Sequence, residues 1–433
     1  MRPTSWSELP GRKVGIFGLG REGEASLRAC RARGVEPVLV DDRPRDAGVL
    51  ATADGGLEAL LDCDVVIKTP GISRYSPEVA KLTGAGVHVA GGLGLWLAGA
   101  DLGRIVCITG TKGKSTTTAI TGHLLNGLGH RTLTGGNLGV PPFDPEVGGD
   151  FDYWVVEVSS YQAVDVPVSP PVVAVTSLHP DHLPWHRDDP EVYYRDKLSL
   201  AAHPGADLTI ANGDSPLIRE RRDLLGPRVE WVCSTDDPDA TWLEPLQLLG
   251  VHNRRNALIA RAILRALGVT DDPAALKKAA AGYGGLPSRL QAVHTLDGVT
   301  FVDDGLSTNV LPTLAAVEAF PDRRIALIVG GQDRGIDYRA LGEGLRTRHV
   351  AVHVVTIPDN GPRIRRELES TVPGPLVTVV DAPDLDAAVR AGYEWARPDG
   401  VVLLSPAAPS FGHFRDYRDR GVAFTAAARR CGE

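Results

Sequence analysis

The run Thr109-Gly110-Thr111-Lys112-Gly113-Lys114-Ser115 constrains the chain more than any other feature. It follows the apolar stretch Ile105-Val106-Cys107-Ile108 and opens a segment, Ser115 to Leu125, of helical character. A buried strand that hands small residues to a helix N-terminus lets successive backbone N–H groups wrap phosphates, and the helix end adds partial positive charge. Lys114 then reaches the terminal phosphates, and Gly110, Thr111, Lys112, Gly113, Ser115 and Thr116 complete an ATP-binding loop whose Ser115 hydroxyl can ligate Mg2+. The strict form of this loop has a glycine where this chain has Ile108, which weighs against ordinary GTPases and kinases. The feature makes the chain an ATP-using enzyme built on α/β units.

At 433 residues the chain is too long for one core, and about three domains are expected. Short apolar runs alternate with Ala/Leu/Arg-rich segments of helical period, the pattern of parallel sheets. The first block, 1–93, has strands at Val14–Phe17, Val38–Val40 and Val65–Ile67 and resembles a small doubly wound sheet. The second, 94–285, has strands at Ile105–Ile108, Trp154–Val156, Val172–Val175 and Leu208–Ile210. The third, 286–433, has strands at Thr300–Val302, Ile325–Val329, Val352–Val355 and Val401–Leu404.

Several classes are excluded. A net charge of −8 offers no footprint for nucleic acid, and the arginine cluster at 219–222 has an acid interleaved. Five scattered cysteines without a C-x-x-C pair point to neither a disulfide framework nor a zinc site. The start of the chain lacks an apolar signal core and no run approaches the ~18 apolar residues that span a membrane, so a cytoplasmic protein without membrane insertion is expected.

Gly18-Leu19-Gly20-Arg21-Glu22-Gly23 follows the first strand, with Asp41-Asp42-Arg43 about twenty residues on. On physics alone this is a dinucleotide fingerprint, a pyrophosphate on a helix N-terminus and an acid near a ribose or base. An NAD-dependent oxidoreductase would account for it, but would leave Lys114, Glu157, His182 and Lys197 without a purpose.

Further motifs follow in order. They are Gly135-Gly136-Asn137-Leu138-Gly139, Glu157-Val158-Ser159-Ser160-Tyr161-Gln162, Asp181-His182-Leu183 and Tyr194-Arg195-Asp196-Lys197. After them come His252-Asn253-Arg254-Arg255-Asn256, Leu286-Pro287-Ser288-Arg289, Asp303-Asp304 and Ser405-Pro406-Ala407. Together with T-G-T-x-G-K-S-T, this series resembles the Mur ligase family over essentially the whole chain. The resemblance implies three domains: a Rossmann-like UDP-binding domain, a central P-loop ATPase domain with a mainly parallel sheet, and a Rossmann-like C-terminal domain. Folylpolyglutamate-synthase-like ligases share the phosphate loop but lack the UDP-binding first domain, against which the glycine loop at 18–23 argues.

The implied activity is ATP-dependent addition of glutamate to UDP-N-acetylmuramoyl-L-alanine through an acyl phosphate, in peptidoglycan precursor synthesis, by a monomer. By the same resemblance, Lys114, Asn137, Glu157, His182 and Lys197 are catalytic. Ser115, Glu157, His182 and a CO2-carbamylated Lys197 hold Mg2+. Arginine could not accept CO2, and a chain with 8 lysines and 38 arginines has kept lysine at 114 and 197. Asn253, Asn256, Arg289 and Asp304 are expected at the nucleotide. Gly18, Gly20, Arg21, Glu22, Asp41, Asp42, Arg43, Gly71 of the Thr69-Pro70-Gly71-Ile72 loop, Asn137, Ser159 and Gln162 are expected at the UDP substrate. Thr308, Arg334, Ser410 and Tyr417 match the glutamate pocket. D-glutamate is the family default. Leu306 stands where those enzymes have lysine and Gly412 where they have aspartate, so an L-glutamate-adding variant is the alternative.

Overall fold

The computed structural model describes residues 4–137, 139–238, 240–371 and 376–433, and these form three sheets. The first holds β1 (Val14–Phe17), β2 (Val38–Asp41), β3 (Leu50–Ala51), β4 (Val65–Lys68) and β5 (His88–Gly91) in the order β3-β2-β1-β4-β5. Every pairing is parallel. The second holds β6 (Ile105–Thr109), β7 (Thr132–Gly136), β8 (Tyr153–Glu157), β9 (Val172–Val175), β10 (Leu208–Asn212) and β11 (Arg228–Val232) in the order β11-β10-β9-β6-β8-β7, also parallel throughout.

The third sheet holds β12 (Gln291–Leu296), β13 (Val299–Asp303), β14 (Ile325–Val329), β15 (Val352–Thr356), β16 (Val377–Asp381) and β17 (Val401–Leu404) in the order β12-β13-β17-β14-β15-β16. Only β12 is antiparallel there. The α/β class with mainly parallel sheets is therefore as the sequence pattern implies.

Interior strands such as β1, β4, β6, β9, β14 and β17 are buried along their whole length, as parallel strands covered on both faces must be. In β14 the two faces separate cleanly. Ile325, Leu327 and Val329 join one apolar cluster, while Ala326 and Ile328 join another on the opposite face.

The chain divides into two compact units: Met1–Leu246 with Arg255–Tyr283, holding the first two sheets, and Gln247–Arg254 with Gly284–Glu433, holding the third. Within the first unit a single apolar cluster runs from Trp6 and Ile16 to Cys107 and Val175, so both sheets share a core. Among the described residues no helix is long and apolar enough to cross a membrane.

In the first two sheets the glycine-rich loops lie where strand order reverses, the usual site of ligand crevices in open α/β sheets. The glycine loop after β1 lies beside the Thr69–Ile72 loop after β4, and Thr69 N donates to Phe17 O at 2.9 Å. In the second sheet β6 lies between β8 and β9, so the phosphate loop is flanked by Glu157 at the end of β8 and by the 176–182 segment after β9.

Candidate active site

The phosphate loop turns from β6 into the helix Lys114–Gly127 through Gly113, the N-cap, whose φ of +89° is left-handed. A Cβ at Gly113 would come within 2.8 Å of Asn256 Oδ1, so both backbone and space require glycine. Ile108, where the strict loop has glycine, is a fully buried member of β6, and the bend starts two residues later. The 176–181 segment clasps the loop from the side. Lys112 N donates to Ser177 Oγ at 2.8 Å, Thr111 Oγ1 donates to His179 O at 3.0 Å, and Lys112 Nζ meets Asp181 Oδ2 at 3.1 Å.

Lys114 folds back on the loop, its Nζ donating to Gly110 O at 2.8 Å and Thr111 O at 3.2 Å. Lys197, 2% exposed, reaches the same Gly110 carbonyl at 3.1 Å from the helix Pro190–Leu198. Burial pushes its amine well below the usual lysine range, and the neighbouring Lys114 cation pushes the same way. An uncharged amine is nucleophilic, which a surface ammonium is not.

Glu157 is 2% exposed, and its Oε1 accepts from Asn137 Nδ2 at 2.7 Å. Its Oε2 is buried with no hydrogen-bond partner. A charged oxygen left unsatisfied in the interior is costly unless a cation or donor completes it, so the site fits a divalent metal. His182, after β9, has a half-exposed side chain whose imidazole is held toward its neutral form, mainly by burial, with Asp181 opposing. Lys114 and Lys197 also act on His182, and Glu157 on Lys197, so these four groups share one electrostatic neighbourhood. Ser115, 5% exposed, is the second residue of the adjoining helix. Among the described residues no three His, Cys, Asp or Glu side chains form a metal-holding cluster.

Two of the substrate residues expected in the first block, Arg21 and Glu22, reach this edge. Arg21 Nη2 donates to Asn137 O at 3.0 Å, and Glu22 Oε1 accepts from Gln162 Nε2 at 2.6 Å. Gln162 in turn closes a capping box with Ser159. Burial raises the Glu22 carboxyl to about 7. Gly18, Gly20 and Gly71 lie in the two adjacent loops. Asp41 differs from a plain ribose-binding acid, because Oδ2 accepts from Leu19 N at 2.7 Å and Oδ1 from Arg43 N at 2.8 Å. Asp42 accepts from Thr52 Oγ1 at 2.7 Å.

Asn256, in the first unit, is 3% exposed beside Gly113. In the second unit Asn253 Nδ2 donates to Leu249 O at 2.9 Å and Arg289 is half-buried. Asp304 accepts from Leu290 N at 3.1 Å, Ser307 Oγ at 2.5 Å and Ser405 Oγ at 2.7 Å, and burial raises it to about 7. Ser288, next to Arg289, donates to Asp303 Oδ2 at 2.8 Å.

Thr308 and Arg334 are exposed, Tyr417 is half-buried and Ser410 is buried. Among the described residues no hydrogen bond joins these four to one another. Gly412 has φ of +109°, and a Cβ there would lie 3.2 Å from Asp359 Oδ2. Asp359 Oδ1 is 2.9 Å from His413 Nε2, so an acid from the loop after β15 stands beside the position that lacks one.

A phosphate loop at the switch point of a parallel sheet, with an acid, an imidazole and a buried amine around it, defines a phosphate-loop α/β enzyme. Residues 108–244 match the Mur ligase middle domain, and residues 288–408 match the Mur ligase, glutamate ligase domain. A protein of Micromonospora sp. named UDP-N-acetylmuramoyl-L-alanine–L-glutamate ligase is 40% identical, over 98% of this chain and 98% of its own. One of the same name from Xanthomonas axonopodis pv. citri is 38% identical over 98% and 96%. The chain is similar in fold to the MurF ligase of Thermotoga maritima, solved in complex with ADP, at a TM-score of 0.56 and 14% identity, covering 99% of this chain and 98% of that one. The chain belongs to the Mur ligase family.

Proposed function

We propose that the chain joins glutamate to the alanyl carboxylate of UDP-N-acetylmuramoyl-L-alanine at the expense of ATP, and that its amino acid is L-glutamate. The observation that carries the chemistry is the presence, at the phosphate loop, of an unsatisfied Glu157 oxygen together with a buried Lys197 that reaches the Gly110 carbonyl and whose amine burial holds toward its neutral form. The names of relatives at 36–40% identity support the substrate and the hand. The departures at Leu306 and Gly412, with Asp359 beside the latter, support a pocket unlike that of the D-glutamate enzymes.

In this reading the alanyl carboxylate oxygen attacks the γ-phosphorus of ATP, ADP leaves, and the glutamate amine displaces phosphate from the acyl phosphate to form the amide. Lys114 exchanges its loop carbonyls for the terminal phosphates and offsets their developing charge. The Lys197 nitrogen bonds to the carbon of CO2 and one proton is released, leaving a carboxylate. Ser115, Glu157, His182 and that carboxylate would hold Mg2+, which supplies charge neutralisation for phosphoryl transfer. Asn137, anchored by Glu157, orients the reacting carboxylate.

The first sheet's glycine loop, Arg21, Glu22, the 41–43 turn and Gly71, with Ser159 and Gln162, would take the UDP end. Asn253, Asn256, Arg289 and Asp304 serve the nucleotide, and Thr308, Arg334, Ser410 and Tyr417 the glutamate. The three sheets then act as UDP-substrate, ATP and glutamate domains of a cytoplasmic monomer serving peptidoglycan precursor synthesis. Phosphate release with ATP, Mg2+ and UDP-N-acetylmuramoyl-L-alanine, compared between L- and D-glutamate, tests the reading. Turnover with L alone is expected; turnover with neither sinks the assignment, and turnover with D alone reverses the hand.

A further inference from the structure

Lys197 is preceded by Asp196, a 7% exposed acid whose two oxygens are held from different directions. Tyr75 OH donates to Oδ1 at 2.7 Å, and His186 Nδ1 lies 2.7 Å from Oδ2. A carboxylate only accepts, so the imidazole proton sits on Nδ1, and Nε2 makes the next bond, to Ser160 Oγ at 3.1 Å. Ser160 opens the short helix Ser160–Ala163, just past Glu157.

Tyr75 lies three residues beyond the Thr69–Ile72 loop, and that loop is tied to the same region twice more. Trp185 Nε1 donates to Pro70 O at 3.0 Å, and Ser73 Oγ donates to Trp185 O at 2.9 Å. Trp185 stacks on Tyr161, with ring centroids 4.6 Å apart, and Tyr161 meets the His182 ring edge-on at 5.3 Å. One turn earlier on the same face of that helix, Tyr193 has its ring 5.0 Å from Lys197 Nζ and its OH 2.8 Å from Thr111 Oγ1, which fixes the helix against the phosphate loop.

A buried carboxylate gripped through both oxygens is held in one orientation, and losing either partner loosens that hold. We infer that Asp196 is a positioning residue for Lys197, and that Tyr75 and His186 lock it so that the loop expected to hold the UDP substrate and the lysine at the phosphate loop keep one register. The inference rests on the ligase reading for its chemistry. It assigns Tyr75, His186 and Asp196 no contact with substrate; they act through Lys197.

The test is a double-mutant cycle with Tyr75→Phe, which removes a single hydroxyl, and Lys197→Ala. Tyr75→Phe is expected to lower kcat by about tenfold, the loss of roughly one positioning hydrogen bond, with KM for ATP unchanged. In the Lys197→Ala background, with or without acetate as a diffusible carboxylate, the same substitution should cost nothing further. Asp196→Asn should repeat the pattern. A Tyr75→Phe loss that multiplies with that of Lys197→Ala, or no loss at all, overturns the inference, as does full activity in Lys197→Ala.

A second readout needs no turnover. A carbamate signal from 13C-bicarbonate should vanish in Lys197→Ala and weaken in Tyr75→Phe; a signal unchanged in Tyr75→Phe overturns the proposal. Absence of glutamate-dependent turnover in the parent protein would refute the ligase reading alone, because the 13C signal still decides the role of Asp196.

Discussion

Glu157→Gln separates what the site needs for chemistry from what it needs for stability. Glutamine has the same shape, so its oxygen keeps the 2.7 Å bond from Asn137 Nδ2, and its NH2 falls where Oε2 now lies buried without a partner. An unsatisfied buried polar group costs ~1–3 kcal/mol, more when charged, and exchanging the charged oxygen for a neutral amide should recover ~1 kcal/mol. In a folding unit of this size ~1 kcal/mol corresponds to a rise of about 2–4 °C in Tm. Activity should move the other way, because an N–H would point at the position of a cation. Loss of one preorganised charge contact is worth ~3–4 kcal/mol, or ~10²–10³-fold in kcat. Melting by fluorimetry in metal-free buffer, with and without added Mg2+ and ATP, and a coupled phosphate-release assay read both effects. A variant that melts below its parent in metal-free buffer, or turns over at the parental rate, refutes the reasoning.

Lys197→Arg should be as inactive as Lys197→Ala but, unlike it, should not regain turnover with short carboxylic acids, since the guanidinium fills the space; rescue of both would remove the carbamate from the account. Gly113→Ala forces a Cβ to within 2.8 Å of Asn256 Oδ1 at a φ of +89°, and KM for ATP should rise at least ~tenfold with the fold retained; an unchanged KM contradicts the loop assignment. Glu22 titrates near 7 in the folded chain against an ordinary 4.5, chiefly because of burial. The folded state therefore holds its proton to higher pH than the unfolded state, and the stability this contributes is complete below 4.5 and lost as pH rises through 7. Glu22→Gln should gain in Tm over its parent across that window and hold the gain above it; parallel curves would contradict the assignment.

How legible these features were in the sequence depends on burial. The interior strands β1, β2, β4, β6, β8, β9, β10, β13, β14, β15 and β17 read as continuous apolar runs. The six strands without a sequence signal, β3, β5, β7, β11, β12 and β16, are the six sheet edges. An edge strand is half-exposed and carries residues such as His88, Thr132, Arg228, Gln291 and Thr378, so its pattern approaches that of a loop.

The site divides in the same way. The phosphate loop is contiguous and its geometry follows from local sequence. The lock on Asp196 joins Tyr75 across 121 positions and His186 across 10, and nothing local announces it. Asp41 reads from its spacing as an acid near a ribose or base, and the sequence does not announce that its carboxylate also accepts from the glycine loop's own backbone, a bond between positions 22 apart.

The most direct test of carboxylate activation at the phosphate loop follows oxygen. UDP-N-acetylmuramoyl-L-alanine labelled with 18O in the alanyl carboxylate, turned over with ATP, Mg2+ and L-glutamate, should deliver one labelled oxygen to each phosphate released. Product formed with unlabelled phosphate would contradict the account.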